Sequence, residues 1–95
     1  MKSKVIKEIR KLLEKSAKAH HLYEQKILDG VYDKSWSDWY SKYLLKEGLR
    51  KYLPKVSFKI LTNFLKKSNE EMLKLNKNLN WAKYTSEKIY EKFLN

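Results

Sequence analysis

The chain has no cysteine. That removes disulfide staples, thiolate nucleophiles and every cysteine-ligated zinc site. Two glycines and one proline in 95 residues leave few places where a helix must break. There is no glycine-rich phosphate loop and no Gly-x-Ser-x-Gly elbow. No run of apolar residues is long enough to cross a membrane. The N-terminal stretch MKSKVIKEIRKLL scatters charge through its apolar positions, where a secretory signal would be uninterrupted. A cytoplasmic protein is the expectation.

Histidine is scarce as well. His20 and His21 are the only two, and no Glu-x-x-His pair exists to build a carboxylate-bridged metal bundle. His20 and Glu24, four residues apart, share a helical face, but a metal would need Asp33 or Asp38 to complete its ligand set. No cofactor and no metal are expected. Arginine is nearly absent: twenty of the 22 basic residues are lysine, with Arg10 and Arg50 the exceptions. A formal net charge of +11 attracts polyanions. Lysine does so as a solvated point charge, without the planar fork that reads phosphates bidentately.

What is present is aromatic and helical. Forty-two per cent hydrophobic and 14% aromatic content argue for a packed core despite the charge. A chain of this mass folds to roughly 5,800 Å² of surface and hides about 65% of what it exposes unfolded, enough for one modest core. One domain spanning residues 1–95 is therefore expected. Apolar spacings of three and four recur throughout, and no period-two run proposes a strand.

Four helices follow. The first runs from about Ser3, a plausible N-cap, to Leu28. Val5, Ile9, Leu12, Ser16, Ala19, Tyr23 and Ile27 form its stripe, widened by Ile6, Leu13 and His20, and Asp29-Gly30 stops it. Ser35 with Asp38 has the form of a capping box for a second helix, Trp36 to Glu47, ended by Gly48. Its expected inner face is Trp36, Trp39, Tyr40, Tyr43, Leu44 and Glu47. Leu49, Tyr52 and Leu53 plug one end of the core. A third helix starts at Pro54 and runs to Asn76, with Val56, Ile60, Leu61, Phe64, Leu65, Met72 and Leu75 inward and Ser68 marking close approach. Asn80 caps the fourth, Trp81 to Phe93, with Trp81, Ala82, Thr85, Ile89 and Phe93 inward. Connections of this length favour antiparallel neighbours, hence an all-α, antiparallel four-helix bundle. An internal echo supports pairing into two hairpins. Leu13-Glu14-Lys15-Ser16 is similar to Leu65-Lys66-Lys67-Ser68, and each precedes a tryptophan-led helix.

Residues 20–45, HHLYEQKILDGVYDKSWSDWYSKYLL, stand apart. They hold both histidines, two tryptophans, four tyrosines and four acids. Stacked nucleotide bases would need cations beside these rings, whereas an aromatic, acid-rimmed groove suits a cationic or amphipathic partner. His20, Tyr23, Glu24, Asp33, Trp36 and Trp39 are the candidate binding residues. Trp39, Tyr40 and Tyr43 are also expected to pack in the core. Lys4, Lys7, Lys11, Lys15 and Lys18 form a second candidate surface, a lysine face on the first helix for a polyanion.

Within that stretch Ala19, His20, Tyr23, Glu24, Gly30, Asp33, Trp36, Trp39, Tyr40 and Tyr43 compose a pattern. An Ala-His and a Tyr-Glu close one helix; a Gly, an acid and Trp-x-x-Trp-Tyr open the next. This resembles small, uncharacterised bacterial all-helical proteins. The resemblance covers about a quarter of the chain and implies a site here without implying an activity. The size, charge and helix count are also similar to those of the basic helical immunity proteins that protect bacteriocin producers. The sequence thus reads as a non-catalytic protein that binds a protein or small ligand near the junction of its first two helices. Its alternatives are a nucleic-acid accessory protein and an immunity-type protein in peripheral contact with an anionic membrane.

Overall fold

A computed structural model describes residues 2–95, and every regular element in it is helical. Helix α1 spans Lys2–Lys26, α2 Trp36–Glu47, α3 Phe58–Leu75 and α4 Trp81–Ile89. A 3-10 turn at Leu49–Lys51 links α2 towards α3, and a π-helical turn at Tyr90–Leu94 ends the chain. The result is the expected all-α bundle. Its directions alternate. Lys15 near the middle of α1 meets Glu47 at the end of α2, and Phe64 early in α3 meets Phe93 after α4.

The helix ends follow local chemistry, and several differ from expectation. Ser3 caps nothing, because α1 is already helical at Lys2. At its other end α1 stops at Lys26, two residues early. Asp29 and Gly30 take left-handed backbone angles, φ 49° and 80°, and the Gly30 N–H closes on the Glu24 carbonyl at 2.8 Å. Ile27 is consequently outside the helix and 66% exposed, where an inward position was expected. Helix α3 begins at Phe58 rather than Pro54. Ser57 accepts the Ile60 N–H at 3.1 Å, while the Arg50 guanidinium donates to the carbonyls of Pro54 and Val56 at 3.2 and 2.7 Å. One of only two arginines is thus spent holding residues 54–56 out of the helix. Asn80 caps α4 as expected, accepting the Lys83 N–H at 2.9 Å.

The core runs through Ile9, Leu13, Leu44, Leu49, Leu53, Leu61, Leu65, Ala82 and Ile89. Leu49 and Leu53 plug one end as expected, and the Tyr52 hydroxyl beside them donates to Glu8. Helix α2 is turned from its expected orientation. Its buried residues are Ser37, Ser41 and Leu44, so its inner face is roughly 100° round the axis from the aromatic stripe. The cause is small-residue packing. Ser37 and Ser41 let α2 approach α3 closely, and the Thr62 hydroxyl lies 2.8 Å from that of Ser41. Trp36 and Tyr40 pack on the core's flank, whereas Trp39 and Tyr43 lie outside it. On α3, Ile60 and Leu75 are solvent-exposed where inward positions were expected and Thr62 is buried, while Ser68 is buried as its place in the stripe implied.

The internal echo extends well beyond four residues. Buried Ile9, Leu13, Ser16 and His20 on α1 recur 52 residues later as buried Leu61, Leu65, Ser68 and Met72 on α3. On α2, Trp36, Ser37, Ser41 and Leu44 correspond to Trp81, Ala82, Ser86 and Ile89 on α4, and all but the tryptophans are buried. Packing obeys the same relation: α1 lies chiefly against α4 and α2 chiefly against α3, with α1/α2 and α3/α4 the lesser contacts. The bundle is two similar helical hairpins, each helix resting mainly on the other hairpin. Where the second hairpin has Met72, the first has His20.

Candidate functional site

His20 is the polar exception in that repeat, and it organises the α1–α2 junction. It is only 7% exposed. Its Nε2 lies 2.9 Å from Asp33 Oδ2; a carboxylate only accepts, so Nε2 carries the proton and donates. Its Nδ1 lies 3.8 Å from Glu24 Oε1, one turn further along α1. Asp33 is the buried acid of the junction, 8% exposed. Its second oxygen, Oδ1, accepts the Ser35 N–H at 2.9 Å, and its own N–H donates to Glu24 Oε2 at 3.2 Å. These bonds fasten the loop 27–35 onto α1. They also replace the expected capping box: Ser35 makes no side-chain cap bond, and Asp33, two residues earlier, satisfies the local N–H instead.

The histidine ring is walled by aromatics. Trp39 and Tyr40 approach it at 4.8 and 4.7 Å between ring centroids, and Tyr23 at 6.1 Å. Two aromatic sets diverge from there. Tyr23, Trp39 and Tyr43 line the outer seam of α1 and α2, with Trp39 and Tyr43 stacked at 5.2 Å and 12°. Trp36, Tyr40 and Trp81 form the inner set, with centroids 6.1 Å apart for Trp36–Tyr40 and 5.0 Å for Tyr40–Trp81. The inner set faces an open groove of about 340 Å³ lined by His20, Glu24, Tyr32, Trp36, Tyr40, Asn69 and Trp81.

Of the six binding residues expected from sequence, His20, Glu24 and Trp36 line this groove. Asp33 lies beneath it, bonded to His20. Trp39 does not reach it, because the rotation of α2 puts it on the far side of the imidazole, and Tyr23, on α1, packs against Trp39 there at 5.7 Å between centroids. Tyr32, Tyr40, Asn69 and Trp81 are additions. Trp81 carried a sequence signal, as the counterpart of Trp36 in the internal echo. Asn69 carried none, since it enters only through the packing of the second hairpin on the first.

Burial, with Glu24 and Asp33 adding to it, pushes the Tyr40 hydroxyl up to about 12. It therefore stays protonated in neutral solution. Ser16, one turn before His20, donates its hydroxyl to the Leu13 carbonyl at 2.7 Å. It therefore stands as a satisfied core residue. His20, Glu24 and Asp33 do come together, but each imidazole nitrogen addresses a different carboxylate, which is not a ligand arrangement. Among the described residues no three such side chains are placed to hold a metal ion.

The lysine face of α1 is solvent-exposed at Lys4, Lys7, Lys11, Lys15 and Lys18. Lys15 turns towards Glu47 at 3.4 Å. Among the described residues no helix is long and apolar enough to cross a membrane.

The chain matches no known protein family, no curated protein and no solved structure with which it was compared.

Proposed function

We propose that this is a non-catalytic binding protein whose aromatic groove takes a cationic group, an alkylammonium or guanidinium carried by a partner protein or a small ligand. One observation carries the reading: three rings, Trp36, Tyr40 and Trp81, converge beside the Glu24 carboxylate. Ring faces attract cations through their quadrupoles, by roughly 0.5–2 kcal/mol each. The adjoining carboxylate adds a charge of the right sign, with Asp33 behind it. Local composition supports the same polarity. Residues 20–45 hold four acids against three lysines in a chain of net charge +11.

The non-catalytic part rests on what surrounds His20. Both its nitrogens are directed at carboxylates, the neighbouring tyrosine is held neutral, and the nearest helical serine is bonded to backbone. Ser16, so bonded, is not available as a nucleophile.

The test is a tryptophan-fluorescence titration with tetramethylammonium and methylguanidinium. The expected result is a saturable response with a Kd on the order of millimolar for such small probes, weakened by Glu24→Gln and by Trp81→Leu. An equal response to tert-butanol, a neutral molecule of similar shape, would sink the reading.

A further inference from the structure

The alternation of helix direction gathers one class of residue at one end of the bundle. The loop between α1 and α2 and the loop between α3 and α4 both lie there, since His20, Trp36, Asn69 and Trp81 from the two hairpins line one groove. These loops are unusually apolar for solvent-facing chain. Ile27 and Val31 in the first are 66% and 65% exposed; Leu75 and Leu79 beside and within the second are 70% and 38% exposed. An isolated exposed leucine means nothing, but apolar side chains gathered on two adjacent loops mark a contact surface.

Charge identifies the partner. Lys26, Lys34, Lys74 and Lys77 flank these side chains and are all exposed. Asp29 is the exposed acid of the two loops, since Asp33 is turned in on His20, and the exposed acids Asp38, Glu70 and Glu71 stand about a turn further back along α2 and α3. Apolar side chains ringed by lysines match an anionic lipid surface, with the apolar groups entering the acyl boundary and the ammonium groups at the headgroups.

We infer that this end of the bundle docks on anionic membrane surfaces, with Ile27, Val31, Leu75 and Leu79 inserting and the four flanking lysines holding the headgroups. The inference does not depend on the cation groove, which opens on other side chains.

Flotation of the full chain with vesicles tests it. Vesicles of phosphatidylglycerol and phosphatidylcholine together should bind the protein, and phosphatidylcholine alone should not. Raising the salt should weaken binding as the lysine term is screened. The pair Leu75→Ser and Leu79→Ser should lower affinity at least about ten-fold, and the pair Lys74→Gln and Lys77→Gln about five-fold per lysine. All four positions are exposed, so circular dichroism should show both variants folded. Any of four results would overturn the inference. The mixed vesicles could fail to bind, or bind the leucine variant unchanged. Sedimentation could reveal self-association abolished by the leucine changes, which would assign this end to a second copy of the chain. A single-stranded oligonucleotide could compete fully while the leucine variant binds as wild type, which would leave charge alone as the cause.

Discussion

Replacing His20 should unfold a substantial fraction of the protein's stability. Its bond to Asp33 is 2.9 Å long between side chains 9% and 10% exposed. A hydrogen bond to a charged group is worth about 1.5–3 kcal/mol. The ring's contacts with Trp39 and Tyr40, at 4.8 and 4.7 Å, add about 0.5–1.5 kcal/mol each. His20→Ala should therefore cost roughly 3–5 kcal/mol, against a total of roughly 5–14 kcal/mol expected for a domain of this length. Asp33→Ala should cost roughly 2–4 kcal/mol, since it also releases the Ser35 N–H. The decisive quantity is the coupling in the double-mutant cycle, measured by urea unfolding followed through tryptophan fluorescence. It should be about 2 kcal/mol. A coupling below about 0.5 kcal/mol would refute the claim that this pair fastens the loop 27–35 to α1.

Other outcomes are equally direct. Ser57→Ala and Asn80→Ala should each cost about 1 kcal/mol of unfolding free energy, while Ser35→Ala, whose side chain caps nothing, should cost almost none. Tyr40 is raised from 10.0 to about 12 in the fold. Its contribution is complete below pH 10 and lost as pH rises towards 12, at most about 2 kcal/mol once solvent screening of the part-exposed side chain is allowed for. Alkaline unfolding should show this slope in the wild type and a shallower one in Tyr40→Phe. The hydroxyls of Ser68 and Thr85 are buried without hydrogen-bond partners, so Ser68→Ala and Thr85→Val should raise stability by about 1 kcal/mol each; destabilisation would show that each hydroxyl is satisfied.

Why some of this was legible in the sequence and some was not comes down to range. Helix number, the Asn80 cap and the Leu49–Leu53 plug are set by residues within a turn or two, so spacing and cap chemistry sufficed. The rotation of α2 was not local. Aromatic side chains look like core in a helical stripe, but Ser37 and Ser41 allow a closer approach to α3 than Trp39 or Tyr43 would, and packing follows the small residues. The start of α3 was hidden for a similar reason. Pro54 is a good first-turn residue, yet the Arg50 guanidinium takes the Pro54 and Val56 carbonyls and Ser57 does the capping. At the site, His20, Glu24 and Trp36 were visible because they share one helix junction. Trp39 left the groove with α2's rotation, and Tyr23 on α1 packs against it on the outer seam. Trp81 and Asn69 belong to the other hairpin, and only the weak echo of Leu13–Ser16 in Leu65–Ser68 hinted that Trp81 would stand opposite Trp36.

That convergence of Trp36, Tyr40 and Trp81 beside Glu24 is the centre of the functional reading. Heteronuclear NMR of the full chain, titrated with tetramethylammonium, tests it most directly. Saturable shifts confined to the indoles of Trp36 and Trp81, the ring of Tyr40 and the backbone around Glu24, all fitting one Kd, are the expected result. Shifts that fail to saturate, or that leave those four residues unmoved, would contradict it.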